Sequence, residues 1–214
     1  MKVKICGITN LADALTAVEA GADYLGFIFY PPSKRSVDIN DARKIVTALR
    51  ERADCPVLVG VFVNETAERM TAVLDEVGLD LAQLSGEETA SLVTDERSEL
   101  YGRCYKAIRP ASLAEAETAA RQYFVPALLS ILIDTYHPTL RGGTGETGNW
   151  AVSARLSRHL PGLMLAGGLT PENVGEAVRR VRPYAVDVAS GVEAFPGKKD
   201  PDKVRAFVAN AKAG

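Results

Sequence analysis

Short apolar runs alternate along this chain with longer amphipathic segments, and the alternation predicts its elements. Val3 and Ile5 share one face of a first strand, and Lys2, Lys4 and Cys6 the other, because strand side chains alternate with a period of two. Asn10 reads as the N-cap of a helix with Leu11, Ala14, Leu15 and Val18 on one side, closed by Gly21. Tyr24 to Phe29 predicts a second strand, residues 30–36 a loop, and about Asp41 to Arg50 a second helix. Val57 to Val63 is apolar on both faces, as a covered parallel strand should be, and Asn64 is expected to cap a helix through about Val77. Leu79 to Leu84 predicts the fourth strand, followed by a helix from Gly86 to about Val93. The fifth strand is expected at Arg103 to Ile108, with an alanine-rich helix capped by Ser112 and ending near Gln122. Leu129 to Asp134 predicts the sixth strand, before a long loop over 135–149 and a helix from about Val152 to Arg158. Leu163 to Ala166 is the seventh; Pro171 then sits near the first turn of a helix, where a missing N–H costs little. Ala185 to Ala189 predicts the eighth strand, and about Pro201 to Lys212 the last helix.

Eight strand–helix units with no linker or low-complexity segment predict an α/β fold, a single (β/α)8 TIM barrel over residues 1–214, rather than an open doubly wound sheet. No G-x-G-x-x-G follows the first strand, which weighs against dinucleotide binding.

Composition narrows the class. A net charge of −2 gives no basic excess for nucleic acid, and Lys34-Arg35 and Lys198-Lys199 are too short to be an electrostatic footprint. No apolar run reaches the roughly 18–20 residues of a membrane span, and the N-terminus lacks the apolar core of a signal peptide. Cys6, Cys55 and Cys104 lack metal-ligand spacing and suit a reducing cytoplasm. A soluble protein without nucleic-acid or membrane partners is expected.

Chemistry is expected at the C-terminal ends of the strands, where a barrel of this kind works. Cys6 ends the first strand beside a glycine and faces the same way as Lys4; the alternative is a small buried thiol packed as a hydrophobe. Asp134 ends an apolar strand, where partial burial would keep it protonated for use as an acid; the alternative is an Asp capping the following loop. Gly167 and Gly168 follow strand seven, and Ser190 and Gly191 follow strand eight, with a short helix expected near Gly191. Glycines there let backbone N–H groups approach a phosphate without any lysine or arginine. Gly142 and Gly143 lie in a glycine-rich stretch suited to a flap over a ligand. An Arg35 fork could hold a substrate carboxylate. Asp187 on strand eight should contact Lys4 on strand one.

Taken together, Lys4-Ile5-Cys6-Gly7-Ile8-Thr9, Gly26-Phe27-Ile28-Phe29 with Ser33-x-Arg35, Gly60-Val61-Phe62-Val63-Asn64, Gln83-Leu84-x-Gly86-x-Glu88, Gly142-Gly143-Thr144-Gly145, Ala166-Gly167-Gly168-Leu169 and Val186-Asp187-Val188-x-Ser190-Gly191-Val192-Glu193 run in order. With these the chain resembles the N-(5′-phosphoribosyl)anthranilate isomerase family of tryptophan biosynthesis, from Lys2 to about Phe207. The resemblance implies an aldose–ketose isomerase acting without metal or organic cofactor on a phosphorylated small molecule, as a monomer or homodimer. It implies Cys6 as general base, Asp134 as general acid and Arg35 on the anthranilate carboxylate. Gln83 and Asp187 join the substrate contacts, and Gly142, Gly143, Gly167, Gly168, Ser190 and Gly191 the phosphate contacts.

Two positions depart from the family pattern: Ser85 stands where histidine is usual, and Gly148-Asn149-Trp150 replaces a Phe-x-Trp. Rival readings are another phosphosugar enzyme on the same barrel and a non-catalytic phosphosugar binder. A histidine-pathway isomerase would carry aspartate in place of Cys6. A pentose-phosphate epimerase would carry metal-binding histidines, whereas this chain has only His137 and His159.

Overall fold

In a computed structural model that describes residues 1–126, 128–134 and 150–214, eight parallel strands close into a barrel in sequence order. The strands are β1 (Lys2–Cys6), β2 (Tyr24–Ile28), β3 (Val57–Phe62), β4 (Leu81–Leu84), β5 (Cys104–Ile108), β6 (Ile131–Asp134), β7 (Met164–Ala166) and β8 (Ala185–Val188). The helices that follow them are α1 (Leu11–Glu19), α2 (Ile39–Arg50), α3 (Ala67–Val77), α4 (Ser91–Thr94), α5 (Leu113–Tyr123), α6 (Trp150–Ser157), α7 (Val174–Val181) and α8 (Pro201–Ala213). A two-stranded antiparallel hairpin, β9 (Glu193–Phe195) and β10 (Lys198–Lys199), is inserted between β8 and α8.

Period-two alternation sorts the strand residues into two apolar layers. Tyr24, Val59, Tyr105, Leu132, Met164, Ala166 and Ala185 fill the barrel interior. Their neighbours Val3, Ile5, Leu25, Phe27, Ile133 and Val186 point outward onto helix residues such as Leu49, Leu74, Val178 and Phe207. Parity alone therefore turns Lys4 and Cys6 of β1, Gln83 of β4, Asp134 of β6 and Asp187 of β8 inward. Closure sets their height: Lys4 is in register with Asp187 of β8, and Cys6 with Gly26 of β2.

Several expectations are corrected. The helix expected from Gly86 is only Ser91–Thr94, because Glu88 turns back. Its carboxylate accepts the Asn64 and Gly86 backbone N–H groups and pairs with buried Lys106 at 3.1 Å, which fixes residues 86–90 as a loop. Thr66, not Asn64, caps α3. Asn64 adopts a left-handed φ of 56° and accepts the Glu87 N–H at 2.6 Å, a conformation asparagine tolerates better than most residues. Leu11 lies on the exposed side of α1, and Ala14, Ala17 and Val18 carry its buried face. The helix expected near Gly191 is a single 3-10 turn, Ser190–Val192.

Candidate active site

Lys4 organises the polar layer of the barrel. Its ammonium donates to Asp187 Oδ1 and to Gln83 Oε1, each at 3.0 Å, so the expected Lys4–Asp187 contact is present. Gln83 Oε1 also accepts from the Tyr105 hydroxyl at 2.9 Å, and its amide nitrogen donates to Ser85 Oγ at 3.2 Å. Burial opposes the Lys4 charge, yet Asp187, with help from Cys6 and Tyr105, outweighs it and holds the ammonium above its ordinary range. A buried pair of this kind costs about 3–5 kcal/mol to break from one side, because the orphaned charge stays desolvated.

Cys6 lies one inward position further along β1, at the C-terminal mouth, and is buried. A Cβ on Gly26 would stand 2.7 Å from its sulfur, so glycine at that position makes room for the thiol. Burial pushes the Cys6 thiol up; the Lys4 charge and hydrogen bond pull it back, aided by Lys199, while Asp187 adds to the rise. Lys4 thus favours the thiolate, but burial wins in the free protein. Lys4→Met should raise the apparent pKa for alkylation of Cys6 by iodoacetamide, since losing the ammonium and unmasking Asp187 both disfavour the thiolate. Equal values in the folded variant and the wild type would remove Lys4 from that role.

Asp134 ends β6 and is part-buried, with its carboxylate receiving Arg109 Nε at 3.1 Å. Its charge also adds to the burial that pushes Asp187 up, although Lys4 opposes both. Electrostatics therefore links Cys6 and Asp134 through Lys4 and Asp187, from β1 across β8 toward β6.

Arg35 reaches the mouth from the loop after β2. Its stem lies against Gly7, where a Cβ would come within 2.9 Å of Arg35 Cδ and where φ is +76°. The guanidinium is already engaged: Nε and Nη2 donate to Glu193 at 2.8 and 2.7 Å. Gly167 and Gly168 both take positive φ after β7. Gly191 approaches the same turn so closely that a Cβ would lie 1.9 Å from the Leu169 carbonyl oxygen, which leaves glycine as the residue that fits. Gly142 and Gly143 lie outside the described residues, as do His137 and the stretch 135–149.

Three participants escaped the sequence reading. Arg109 follows Ile108, which is in register with Ile133, so the strand order alone sets it beside Asp134. Glu193, read only as the end of a motif, and Lys199, read only as half of a short basic pair, both belong to the hairpin.

A closed (β/α)8 barrel with a thiol, carboxyl groups and ammonium groups around its C-terminal mouth defines the class: a TIM barrel with titratable side chains gathered where such barrels carry their sites. The particular family follows from comparison: a family model described as N-(5′-phosphoribosyl)anthranilate (PRA) isomerase matches residues 3–210, and the chain belongs to that family of isomerases. It is 46% identical over 212 residues to the N-(5′-phosphoribosyl)anthranilate isomerase of Trichlorobacter lovleyi, covering 99% of this chain and 98% of the relative. The crystal structure of phosphoribosyl anthranilate isomerase from Thermotoga maritima superposes with a TM-score of 0.86 at 45% identity, over 100% of both chains. A further isomerase structure, in complex with reduced 1-(o-carboxyphenylamino)-1-deoxyribulose 5-phosphate, superposes with a TM-score of 0.83 at 42% identity, again over 100% of both chains.

Proposed function

We propose that this chain catalyses the Amadori rearrangement of N-(5′-phosphoribosyl)anthranilate to 1-(2-carboxyphenylamino)-1-deoxyribulose 5-phosphate in tryptophan biosynthesis, with Cys6 as general base and Asp134 as general acid. The observation that carries the reading is the inward placement of both groups at the C-terminal ends of β1 and β6, on either side of the Lys4–Asp187 pair. The complex of the related isomerase with a reduced form of the product supports the choice of substrate.

Asp134 protonates the furanose ring oxygen, and the C1′–O bond opens as the substrate nitrogen shares its lone pair, giving a protonated Schiff base. Cys6 removes the C2′ proton; the C–H electrons form the C1′–C2′ double bond and return a pair to nitrogen. The resulting enolamine tautomerises to the aminoketose. The substrate nitrogen is the electron sink throughout, so one acid and one base suffice. Arg35 holds the anthranilate carboxylate, and backbone N–H groups of Gly167, Gly168, Ser190 and Gly191 hold the phosphate. Gln83 and Asp187 serve the substrate through the Lys4 network. Phosphate contacts from Gly142 and Gly143, a cytoplasmic setting and a monomeric or dimeric state complete the proposal.

The test is turnover followed by loss of anthranilate-type fluorescence, with the histidine-pathway aminoaldose as a parallel substrate. Rapid loss with the anthranilate substrate is expected. Folded protein that binds the phosphosugar but leaves the fluorescence unchanged would make the chain a binder instead, and turnover of the other aminoaldose alone would move it to the rival enzyme.

A further inference from the structure

We propose that Glu193, carried on the β9–β10 hairpin, is a positioning residue that aims the Arg35 fork at the substrate's carboxylate and so sets the preference for a carboxylated aromatic amine. The proposal rests on the reading of Arg35 given above and deepens it.

A guanidinium has five N–H donors arranged in a plane. Glu193 takes the side-on pair, Nε at 2.8 Å and Nη2 at 2.7 Å. Among the described residues the end-on edge, Nη1 with the second N–H of Nη2, is left as a two-toothed fork for another carboxylate. Glu193 therefore leaves Arg35 able to bind while fixing the direction in which it binds.

Exposure supports the division of labour. The Arg35 side chain is 25% exposed, whereas Glu193 is 5% and its second partner Lys199 is 1% exposed. Only the arginine presents itself at the mouth.

The clamp is held from behind. Glu193 Oε1 also accepts the Gly197 N–H and the Lys199 ammonium, both at 3.2 Å, and Lys199 donates to the Ala189 carbonyl at 3.0 Å, just past β8. The hairpin is tied to the first unit of the barrel: Thr9 Oγ1 donates to the Gly197 carbonyl at 2.6 Å, the Lys199 N–H donates to Asp13 Oδ2 at 2.7 Å, and Lys198 pairs with Asp13. Arg35 is thus fixed at its stem by Gly7, next to Cys6, and at its head by Glu193. Bonding to Arg35 and the Lys199 charge together hold the Glu193 carboxyl below its usual range despite burial.

The experiment measures KM and kcat for wild type, Glu193→Gln and Arg35→Met with two substrates: N-(5′-phosphoribosyl)anthranilate and N-(5′-phosphoribosyl)aniline, which lacks the carboxylate. Glu193→Gln should raise KM for the anthranilate compound about tenfold or more, the scale of one hydrogen bond to a charged group. Its kcat should stay within about threefold, and KM for the aniline compound should hold, so that the preference between substrates collapses. A KM rise shared equally by both substrates would mark Glu193 as merely structural, and an unchanged KM would end the proposal.

If Arg35→Met also leaves the preference intact, the carboxylate contact itself is wrong. If Arg35→Met abolishes it and Glu193→Gln does not, only the clamp falls. Should Glu193→Gln fail to fold, Glu193→Asp, which keeps the charge but withdraws it by one methylene, reads the same preference, and retention of wild-type preference in that variant overturns the proposal.

Discussion

Cys6→Ala should lower kcat for the rearrangement by at least about a hundredfold, the scale on which a positioned base contributes. The sulfur stands at the end of β1 over the Lys4–Asp187 pair, whose carboxylate is already taken up by the Lys4 ammonium at 3.0 Å. Lys4 is held in its charged form by Asp187, and Tyr105 is pushed far above neutrality by burial. Neither can accept the C2′ proton in its place. The substitution removes one buried sulfur from a wall made by β1 and β2, so the barrel should persist, and substrate KM should move far less than kcat. Single-turnover measurements separate the two; near-normal turnover in a folded Cys6→Ala protein would reassign the base.

Asp134→Asn is expected to cost at least about a hundredfold in kcat as well, by a different route. The amide keeps the shape and can still accept from Arg109, which the carboxylate meets at 3.1 Å, but it has no proton to give the ring oxygen. Ring opening should then become limiting, and a substrate analogue that is already open-chain should recover much of the lost rate. A variant that turns over the cyclic substrate normally would show that the ring opens without this residue.

Much of this arrangement was legible in the chain. Alternation alone fixed the inward faces of β1, β6 and β8, because a one-residue slip would have turned the apolar positions of those strands to the wrong side. Asn10 and Ser112 announced their helices through side-chain caps that the structure contains, at 3.0 and 3.2 Å. The Lys4–Asp187 pair followed from knowing that the first and last strands of a closed barrel are neighbours.

What failed to show was whatever depends on a tertiary partner. Residues 86–90 carry no helical or strand period that could reveal a loop locked by Glu88, Asn64 and Lys106. The Pro196-Gly197 dipeptide is a turn signal, yet the strands beside it are only three and two residues long, too short for a period to mark the hairpin. Arg35 read as an open fork because its carboxylate partner is 158 residues distant in sequence. The shared facing of Lys4 and Cys6 was visible in the strand period, but the burial penalty that outweighs the Lys4 charge at the thiol is reported by no pattern of residues.

The missing side chain at position 26 has a consequence for how the mouth of the barrel can be altered. Since the bare α-carbon of β2 lends its volume to the sulfur of β1, the two sites hold one shared quota of space. A bulkier side chain can replace the thiol only while β2 stays unsubstituted there, and any methyl added to β2 must be matched by a smaller group on β1. Variation at these two positions is therefore coupled, and a library that randomises position 26 while holding Cys6 fixed samples mostly side chains that collide with the sulfur.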